Sequence, residues 1–412
     1  MRLKDFLNES YTAYHAAANV CRYLDENGFV RLTLGEKWNL SLNGKYYITR
    51  NGSSVIAFKI GKNKVFNICE SHTDSPSLKI KGGRIVEGDL KRLNVEQYGG
   101  GLLYSFLDRP LKIAGRILTE TPDGLKQELV VSDYNVVIPS LAIHHNPNAN
   151  SNLSLNPQTD MLPIWSQNET DLYGSLTDEK VIDADLYVVP DCRSFESGAK
   201  GEFLSSSRLD NLTSVYSSVT ALVNCSASDI AVAACLDNEE IGSGTRQGSP
   251  EFISQALTAI CCALNMNETE VLSAKENGLV LSVDNGHAFH PAHNEKADPV
   301  NKTSLNGGVV IKRHPNYATD GLSAAVLKKL LQTNNVKYQE YFNRSDVRCG
   351  STLGLVTSKT LGMKTCDIGI AMLAMHSACE TCGARDVDVM TKCLTAFLSS
   401  EIYLNENDLK VK

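Results

Sequence analysis

The sequence predicts an α/β protein in which a body built around a central sheet is interrupted by an inserted all-β part. Three observations predict this. Strand-type and helix-type patterns alternate after Gly201, which is typical of an α/β sheet. Short β-type stretches separated by turn residues fill the segment from about Gly82 to Gly201. Further β-type runs precede Gly82, and a chain of 412 residues is long enough for both parts.

The composition is that of a globular protein, with 42% hydrophobic and 21% charged residues. The net charge of -7 disfavours nucleic acid and anionic membranes as partners, but it permits a small peptide as a substrate. No apolar run approaches the roughly 20 residues that span a bilayer, and residues 1–10 lack the apolar segment of a signal peptide. We therefore expect a cytoplasmic protein with mostly reduced cysteines.

The first elements are a helix and two strands. Apolar residues at helical spacing predict one helix over residues 5–26, with Gly28 as its stop signal. Two β-type runs follow at 53–60 and 64–69. The β-type stretches of the inserted part are 111–117, 128–131 and 135–139. We expect residues 1–81 and 202–412 to form one domain, and residues 82–201 to form the inserted domain.

The chain beyond Gly201 supplies most of the predicted α/β body. The predicted strands are 230–236, 278–283, 309–311 and 365–370. The predicted helices are 210–223, 251–264, 323–332 and 387–403. The runs at 230–236 and 278–283 are the apolar ones, which is typical of buried strands.

Acidic and histidine residues follow several of these strands. The residues concerned are His72 and Asp74 after the second run, Asp237, Glu239 and Glu240 after 230–236, Asp284 after 278–283, and His376 after 365–370, with Asp210 at a helix start. In open α/β sheets, sites collect outside the carboxyl ends of the strands, so we expect these side chains to converge on one crevice.

The residue types are those that two neighbouring divalent cations require. A shared carboxylate offsets the repulsion of cations about 3.5–4 Å apart, and further histidines or carboxylates complete each site. Glu239 and Glu240 can divide the roles of base and ligand, because adjacent side chains at a strand end point in different directions. Asp74 can orient a ligand. Taken singly, Asp210 could cap a helix and His376 could be a core histidine; the joint arrangement favours a metal site.

Around these residues the sequence resembles the aspartyl aminopeptidase family of metallopeptidases. The matching segments are ESHTDSP at 70–76, VEQYGGG at 95–101, SRLDNL at 207–212, DNEEIGS at 237–243, SVDNGH at 282–287 and LAMHSACE at 373–380. Flanking stretches at 36–39, 47–50 and 349–352 extend the similarity over nearly the whole chain. The resemblance implies a zinc-aminopeptidase-type α/β/α catalytic domain with a central mixed sheet and an inserted all-β dimerisation domain.

The resemblance also implies two divalent ions per subunit, with zinc expected and manganese or cobalt as alternatives. His72 and Asp284 would bind one ion, Glu240 and His376 the other, and Asp210 would bridge them. Glu239 would be the general base. The family positions that contact substrate correspond to His287, Lys312 and Tyr317, and His144 corresponds to a histidine presented to a neighbouring subunit's site.

The resemblance further implies a homo-oligomer built from dimers, with a tetrahedral dodecamer as its form, and peptides with N-terminal Asp or Glu as substrates. Lys312 is the expected partner of the acidic side chain, although it could equally be an ordinary lysine at a strand end. Three alternatives remain open. They are an aminopeptidase of different or broad preference, an N-acyl deacylase or amidase, and a non-catalytic assembly protein. Cys379 and Cys382 could form a redox or zinc pair.

Overall fold

The computed structural model describes residues 1–405 and 409–411. The N-terminal region contains two helices, α1 (Leu3–Glu9) and α2 (Ala13–Glu26). The prediction of one continuous helix is therefore wrong. The backbone leaves the helical region at Ser10 and is extended at Thr12, and the Asn19 side chain donates a hydrogen bond to the Ser10 hydroxyl across this break. The apolar spacing continues through the break because both helices pack on the same core.

Beyond Gly201 helices and strands alternate as the sequence predicts, whereas the preceding elements are strands. The strands before and within the inserted part are β1 (Val30–Arg31), β2 (Lys45–Arg50), β3 (Ser54–Lys59), β4 (Phe66–His72), β5 (Ser77–Val86), β6 (Lys91–Tyr98), β7 (Leu111–Thr121), β8 (Gly124–Val131), β9 (Ile164–Ser166) and β10 (Val181–Pro190). Later elements are β11 (Phe195–Ser197), β12 (Phe203–Ser206), α3 (Leu209–Asn224), β13 (Ile230–Leu236), α4 (Glu251–Ala263), α5 (Glu268–Glu276), β14 (Leu279–Val283), β15 (Gly286–His287) and β16 (Val309–Arg313). The last are α6 (Gly321–Thr333), β17 (Tyr338–Phe342), α7 (Leu353–Leu361), β18 (Thr365–Gly369), β19 (Ala371–Leu373), β20 (Glu380–Gly383), α8 (Asp386–Ser399), β21 (Ile402–Leu404) and β22 (Leu409–Val411).

A nine-stranded mixed sheet forms the centre of the molecule, in the order β1-β2-β3-β13-β4-β14-β18-β16-β17. Its four middle strands, β13, β4, β14 and β18, are parallel to one another. Every residue of β13 is buried because helices cover both faces. Ala231, Ala233 and Cys235 face the core shared with α3 and α8, whereas Val232 and Ala234 face the core shared with α4 and α7. This arrangement confirms the predicted α/β fold class.

The inserted part forms a separate six-stranded antiparallel sheet, in the order β8-β7-β10-β5-β6-β9, with its own apolar core. The predicted limits at residues 82 and 201 do not coincide with strand limits. Residue 82 lies inside β5, and β11 pairs with β12, which pairs with β20 of the main body. The predicted strand at 135–139 is reduced to two isolated bridges, because Val136 pairs with Leu111 and Val137 pairs with Ile164 on different strands.

The C-terminal helix is shorter than predicted. It ends at Ser399, and Ser400 has an extended backbone, so the predicted end at residue 403 is wrong. The apolar residues beyond it belong to β21, where Ile402 and Leu404 are buried and Tyr403 is exposed. That burial has the period of a strand. No helix of the described residues has the length and apolar character needed to cross a bilayer.

Candidate active site

The carboxyl ends of the parallel middle strands bring the predicted site residues together. His72 is the last residue of β4, and Asp284 directly follows β14. Glu239 and Glu240 lie on a short 3-10 helix after β13. Strands with the same direction end at the same edge of the sheet, so side chains far apart in the sequence become neighbours there.

Asp210 reaches the same crevice from another direction. It lies near the start of α3, yet its backbone is not helical (φ -82, ψ 106), so it does not open the helix as a regular first residue. The Ser75 hydroxyl donates to its carbonyl at 2.7 Å. This bond fixes Asp210 outside the regular helix, in the segment between β12 and the first regular turn of α3.

Three groups of side chains among the described residues have ligand atoms within 4.8 Å of one another. Two of these groups share Asp210. In the first group, His72 Nε2 lies 3.6 Å from Asp284 Oδ1 and 3.8 Å from Asp210 Oδ1. In the second group, His376 Nε2 lies 3.4 Å from Asp210 Oδ2 and 3.3 Å from Glu240 Oε1. The two carboxylate oxygens of Asp210 therefore face different groups.

The donor set fits two divalent cations. Asp210 Oδ1 and Glu240 Oε1 are buried without a hydrogen-bond partner. A buried carboxylate oxygen without a partner is costly, and a cation would offset that cost. Each group combines one imidazole nitrogen with carboxylate oxygens, a set that suits zinc, manganese or cobalt. The third group, His72 with Glu239 and Glu240, places Glu239 beside both ligand groups.

The charges of the site shift several pKa values. Burial, together with the nearby carboxylates Asp284 and Asp74, raises the pKa of Glu239 to about 7, although His72 acts in the opposite direction. Burial also raises the pKa of Glu240 well above its usual value. Burial opposes protonation of His376, but Asp210 and Glu240 outweigh it and raise its pKa to about 10. These shifts have a common cause, because several carboxylates lie close together where little solvent reaches them.

Asp74 connects the histidine and the glutamates. His72 Nδ1 lies 3.1 Å from the Asp74 carbonyl oxygen and 3.4 Å from its carboxylate. The Asp74 carboxylate accepts backbone N–H bonds from Glu239 and Glu240, both at 3.1 Å. These contacts direct Nε2 of His72 toward the ligand groups. The sequence pattern indicates a contact of Asp74 with a ligand, but it does not indicate the contacts with the Glu239 and Glu240 backbone.

The orientation of Glu239 and Glu240 has a different cause from the predicted one. They do not alternate as on an extended strand end, because the chain turns into the 3-10 helix at Asn238, which has a left-handed backbone (φ 59). The Asn238 amide donates to the Tyr98 hydroxyl at 2.8 Å, and Tyr98 donates to Asp74 at 2.7 Å. These buried hydrogen bonds hold the turn from which the Glu239 and Glu240 side chains leave in different directions.

Glu380 is a site residue that the sequence reasoning missed. Its fully buried carboxylate accepts the backbone N–H of Asp210 at 3.0 Å and the backbone N–H of His376 at 2.6 Å. The signal that could have found it is an acidic residue in the strand that follows the His376 segment, within the matching stretch 373–380.

The predicted substrate residues lie at different depths. His287 ends β15 and is an exposed residue, with its ring beside that of Tyr341. Lys312 is fully buried; its ammonium lies 3.4 Å from Asp284 and 3.1 Å from the Asn285 carbonyl oxygen. Burial by itself would raise the pKa of Asp284, but Lys312 and His72 together outweigh it and hold that pKa well below its usual range. The ammonium also lies 5.3 Å from the centre of the Tyr317 ring.

Two further predictions concern residues outside this crevice. His144 is exposed on a loop of the inserted part. Cys379 lies beside Cys192, whereas Cys382 is buried within β20. The three ligand groups found among the described residues contain no cysteine. A zinc site at Cys379 and Cys382 therefore has no support among the described residues, and a redox role of the two cysteines stays a hypothesis.

Comparison with known proteins matches this chain to one peptidase family. The family model described as aminopeptidase I zinc metalloprotease (M18) matches residues 6–175 and 168–398. The chain belongs to the M18 family. A probable M18 family aminopeptidase 2 of Clostridium acetobutylicum is 38% identical, and the match covers 96% of this chain and 97% of that protein. A protein of the same description from Pseudomonas fluorescens is 36% identical, with 97% of each chain covered.

Solved M18 structures share the fold. A chain in a cryo-EM structure of the Ape4 and Nbr1 complex has a TM-score of 0.91 at 32% identity, covering 96% of this chain and 84% of that one. A chain of the S. cerevisiae mApe1 dodecamer has a TM-score of 0.82 at 26% identity, covering 96% and 95%. This M18 protein is a metallo-aminopeptidase, and the family is one of zinc metalloproteases.

Proposed function

We propose that this aminopeptidase uses two divalent cations, held by the two ligand groups that share Asp210, with Glu239 as the general base. The observation that carries this proposal is the position of the Asp210 carboxylate, whose oxygens face His72 and His376 on opposite sides. When bound, such cations supply Lewis acidity toward an attacking water and the scissile carbonyl. Zinc is the expected ion, with manganese or cobalt as alternatives.

Glu239 is the residue best suited to move the proton. Its carboxylate lies 4.0 Å from His72 Nε2 and belongs to neither of the two groups that share Asp210. A pKa raised to about 7 suits a group that takes a proton from water and returns it to the leaving amine. Asp74 supports this role by fixing the Glu239 backbone, and the exposed His287 is the proposed donor to the substrate carbonyl.

We propose a preference for N-terminal Asp or Glu, with Lys312 as its source and Tyr317 beside it. The ammonium has three donors, and two of them point at Asp284 and the Asn285 carbonyl, which leaves one for a substrate carboxylate. The same observation favours a second candidate, an aminopeptidase of different or broad preference. In that case Lys312 serves only to hold Asp284. An N-acyl deacylase or amidase would use the same metal site.

A kinetic panel tests these functions. The protein is stripped of metal, reloaded with zinc, manganese or cobalt, and assayed on aminoacyl substrates in the isosteric pairs Asp/Asn and Glu/Gln, with N-acetylated versions of each. We expect cleavage only with a free amine, and a preference for each acid over its amide of roughly 10-fold to 100-fold, the value of one charged hydrogen bond. Equal rates within both pairs would favour the broad aminopeptidase, and cleavage of the acetylated compounds would favour the deacylase.

Lys312→Ala separates the two roles of the lysine. Loss of the acid-over-amide preference with two cations still bound would support Lys312 as the specificity residue. Unchanged preference together with weaker cation binding would assign it to Asp284 alone. Cation content is therefore measured on the same preparation.

We further propose that the inserted domain, residues 77–190 by its strand limits, mediates a dimer, and that dimers build a dodecamer. The support is the likeness to the mApe1 dodecamer and the exposed position of His144, which suits a residue that acts on a neighbouring subunit. Cytoplasmic peptides would be the substrates. Light scattering of the purified protein measures the assembly.

A further inference from the structure

Glu380 lies between two proposed metal ligands that come from different parts of the chain. It begins β20, which pairs with β12 so that Glu380 stands opposite Ser206. The chain continues from Ser206 to Asp210, and His376 lies on the loop that precedes β20. One side chain can therefore reach both ligand segments, and each oxygen of its carboxylate takes one of the two N–H bonds.

Both donors are backbone N–H groups that their own elements leave without an acceptor. The N–H of Asp210 lies at the start of α3, where helix donors have no internal acceptor. His376 has a left-handed backbone (φ 67), which is uncommon for a residue with a side chain and persists only where its surroundings hold it. The bond to Glu380 at 2.6 Å is such a constraint. His376 Nδ1 is fixed in turn by the Gly100 carbonyl oxygen at 3.1 Å.

We propose that Glu380 is the positioning residue of the second cation site, the one formed by Asp210, Glu240 and His376. It sets the distance between the shared carboxylate and the histidine by holding both backbones. The first site, with His72 and Asp284, has its own supports in Asp74 and Lys312. Glu380 holds two of the three ligands of the second site, but only the shared Asp210 of the first site. Loss of Glu380 should therefore weaken the second site more than the first. This inference rests on the proposed two-cation function.

The test is cation binding by the full-length apoprotein of Glu380→Gln. A glutamine offers one oxygen, so one of the two N–H groups would face an amide nitrogen instead of an acceptor. Zinc is titrated in competition with a chromogenic chelator, and cobalt binding is followed by its visible absorption. We expect the affinity of one site to fall about 10-fold to 100-fold, as for other residues that support a metal ligand, and the affinity of the other site to fall less.

Asp386→Asn is the matched control. Asp386 is also a fully buried carboxylate that accepts two backbone N–H bonds, from Asn306 at 2.7 Å and Gly308 at 2.9 Å, but it holds a loop away from the ligands. The Asp386→Asn variant should have lower thermal stability and unchanged affinities for both cations.

Two unchanged affinities in Glu380→Gln, or equal weakening of both sites, would overturn the inference. Failure of the wild-type protein to bind two cations would instead overturn the proposed function. If circular dichroism shows that Glu380→Gln does not fold, Glu380→Asp replaces it. Its shorter carboxylate keeps the charge but cannot span both N–H groups, and the same selective loss is expected.

Discussion

Asp210 is the residue on which the proposed site depends most. Its two oxygens face the two ligand groups, and Oδ1 has no other partner. Asp210→Asn replaces one oxygen with a donor that repels a cation, so we expect the bound cations to fall from two to one or fewer. Elemental analysis of gel-filtered protein measures this. Asp237→Asn, a change at another buried aspartate outside the ligand groups, should retain both ions.

Glu239→Gln distinguishes a base from a ligand. The amide cannot accept the proton of water, so kcat should fall by about 10²-fold to 10⁴-fold. Both cations should stay bound, because Glu239 is outside the two groups that share Asp210. Turnover close to that of the wild type would remove Glu239 from the proposed mechanism.

The pKa of Glu239 predicts the acidic limb of the pH profile. Burial raises this pKa to about 7 in the chain alone, and bound cations favour the charged carboxylate and lower it. The base must be deprotonated, so kcat should rise with pH and level off with a midpoint no higher than about 7. A pH–rate profile with saturating cation measures it. A midpoint clearly above this value would exclude Glu239 as the titrating base.

At the scale of elements, the turn after β13 depends on a side chain from the inserted sheet. Tyr98, at the end of β6, bonds both Asp74 and Asn238, and so links the β4 and β13 ends. Thr245 and Gln247 also donate to the Asn238 oxygen, at 2.7 and 2.9 Å. The inserted part therefore contributes to the geometry of Glu239 and Glu240.

Tyr98→Phe tests this link, with Tyr46→Phe as its control. Each tyrosine is 8% exposed, and the Tyr46 hydroxyl accepts the Ser41 N–H at 3.0 Å, away from the crevice. Both changes should lower the free energy of unfolding by about 1 kcal/mol, the net value of a buried hydrogen bond. Only Tyr98→Phe should also lower kcat, by roughly 10-fold. Denaturant unfolding and steady-state kinetics compare them, and equal kcat values would contradict the link.

At the scale of the whole molecule, the proposed role of His144 requires a neighbouring subunit. We predict complementation between two inactive variants, His144→Ala and Glu239→Gln. In a mixed dimer, the subunit with intact Glu239 receives His144 from its partner, so one of the two sites regains activity. Activity of co-expressed protein beyond the mean of the two variants supports this. His145→Ala, the adjacent exposed histidine, should remain active alone.

Much of the main body could be predicted from the sequence because its strands are apolar runs of strand length. The strand predicted at 230–236 coincides with β13, and the helix predicted at 251–264 ends one residue earlier, at Ala263. The failures have local causes. The break at Ser10 and the helix end at Ser399 interrupt apolar spacing that continues on both sides, and pattern alone does not register such a break.

By itself, the sequence determined the α/β fold class, because buried strands have continuous apolar sequences. It also identified the acidic and histidine residues of the site, because they follow strands whose carboxyl ends share one edge of the sheet. Only the tertiary structure decided which oxygen of Asp210 faces which group, why Glu239 and Glu240 diverge, and that Glu380 belongs to the site. Asp210 and Glu380 are 170 residues apart. The pairing of β12 with β20 joins them, and sequence periodicity does not specify such a long-range contact.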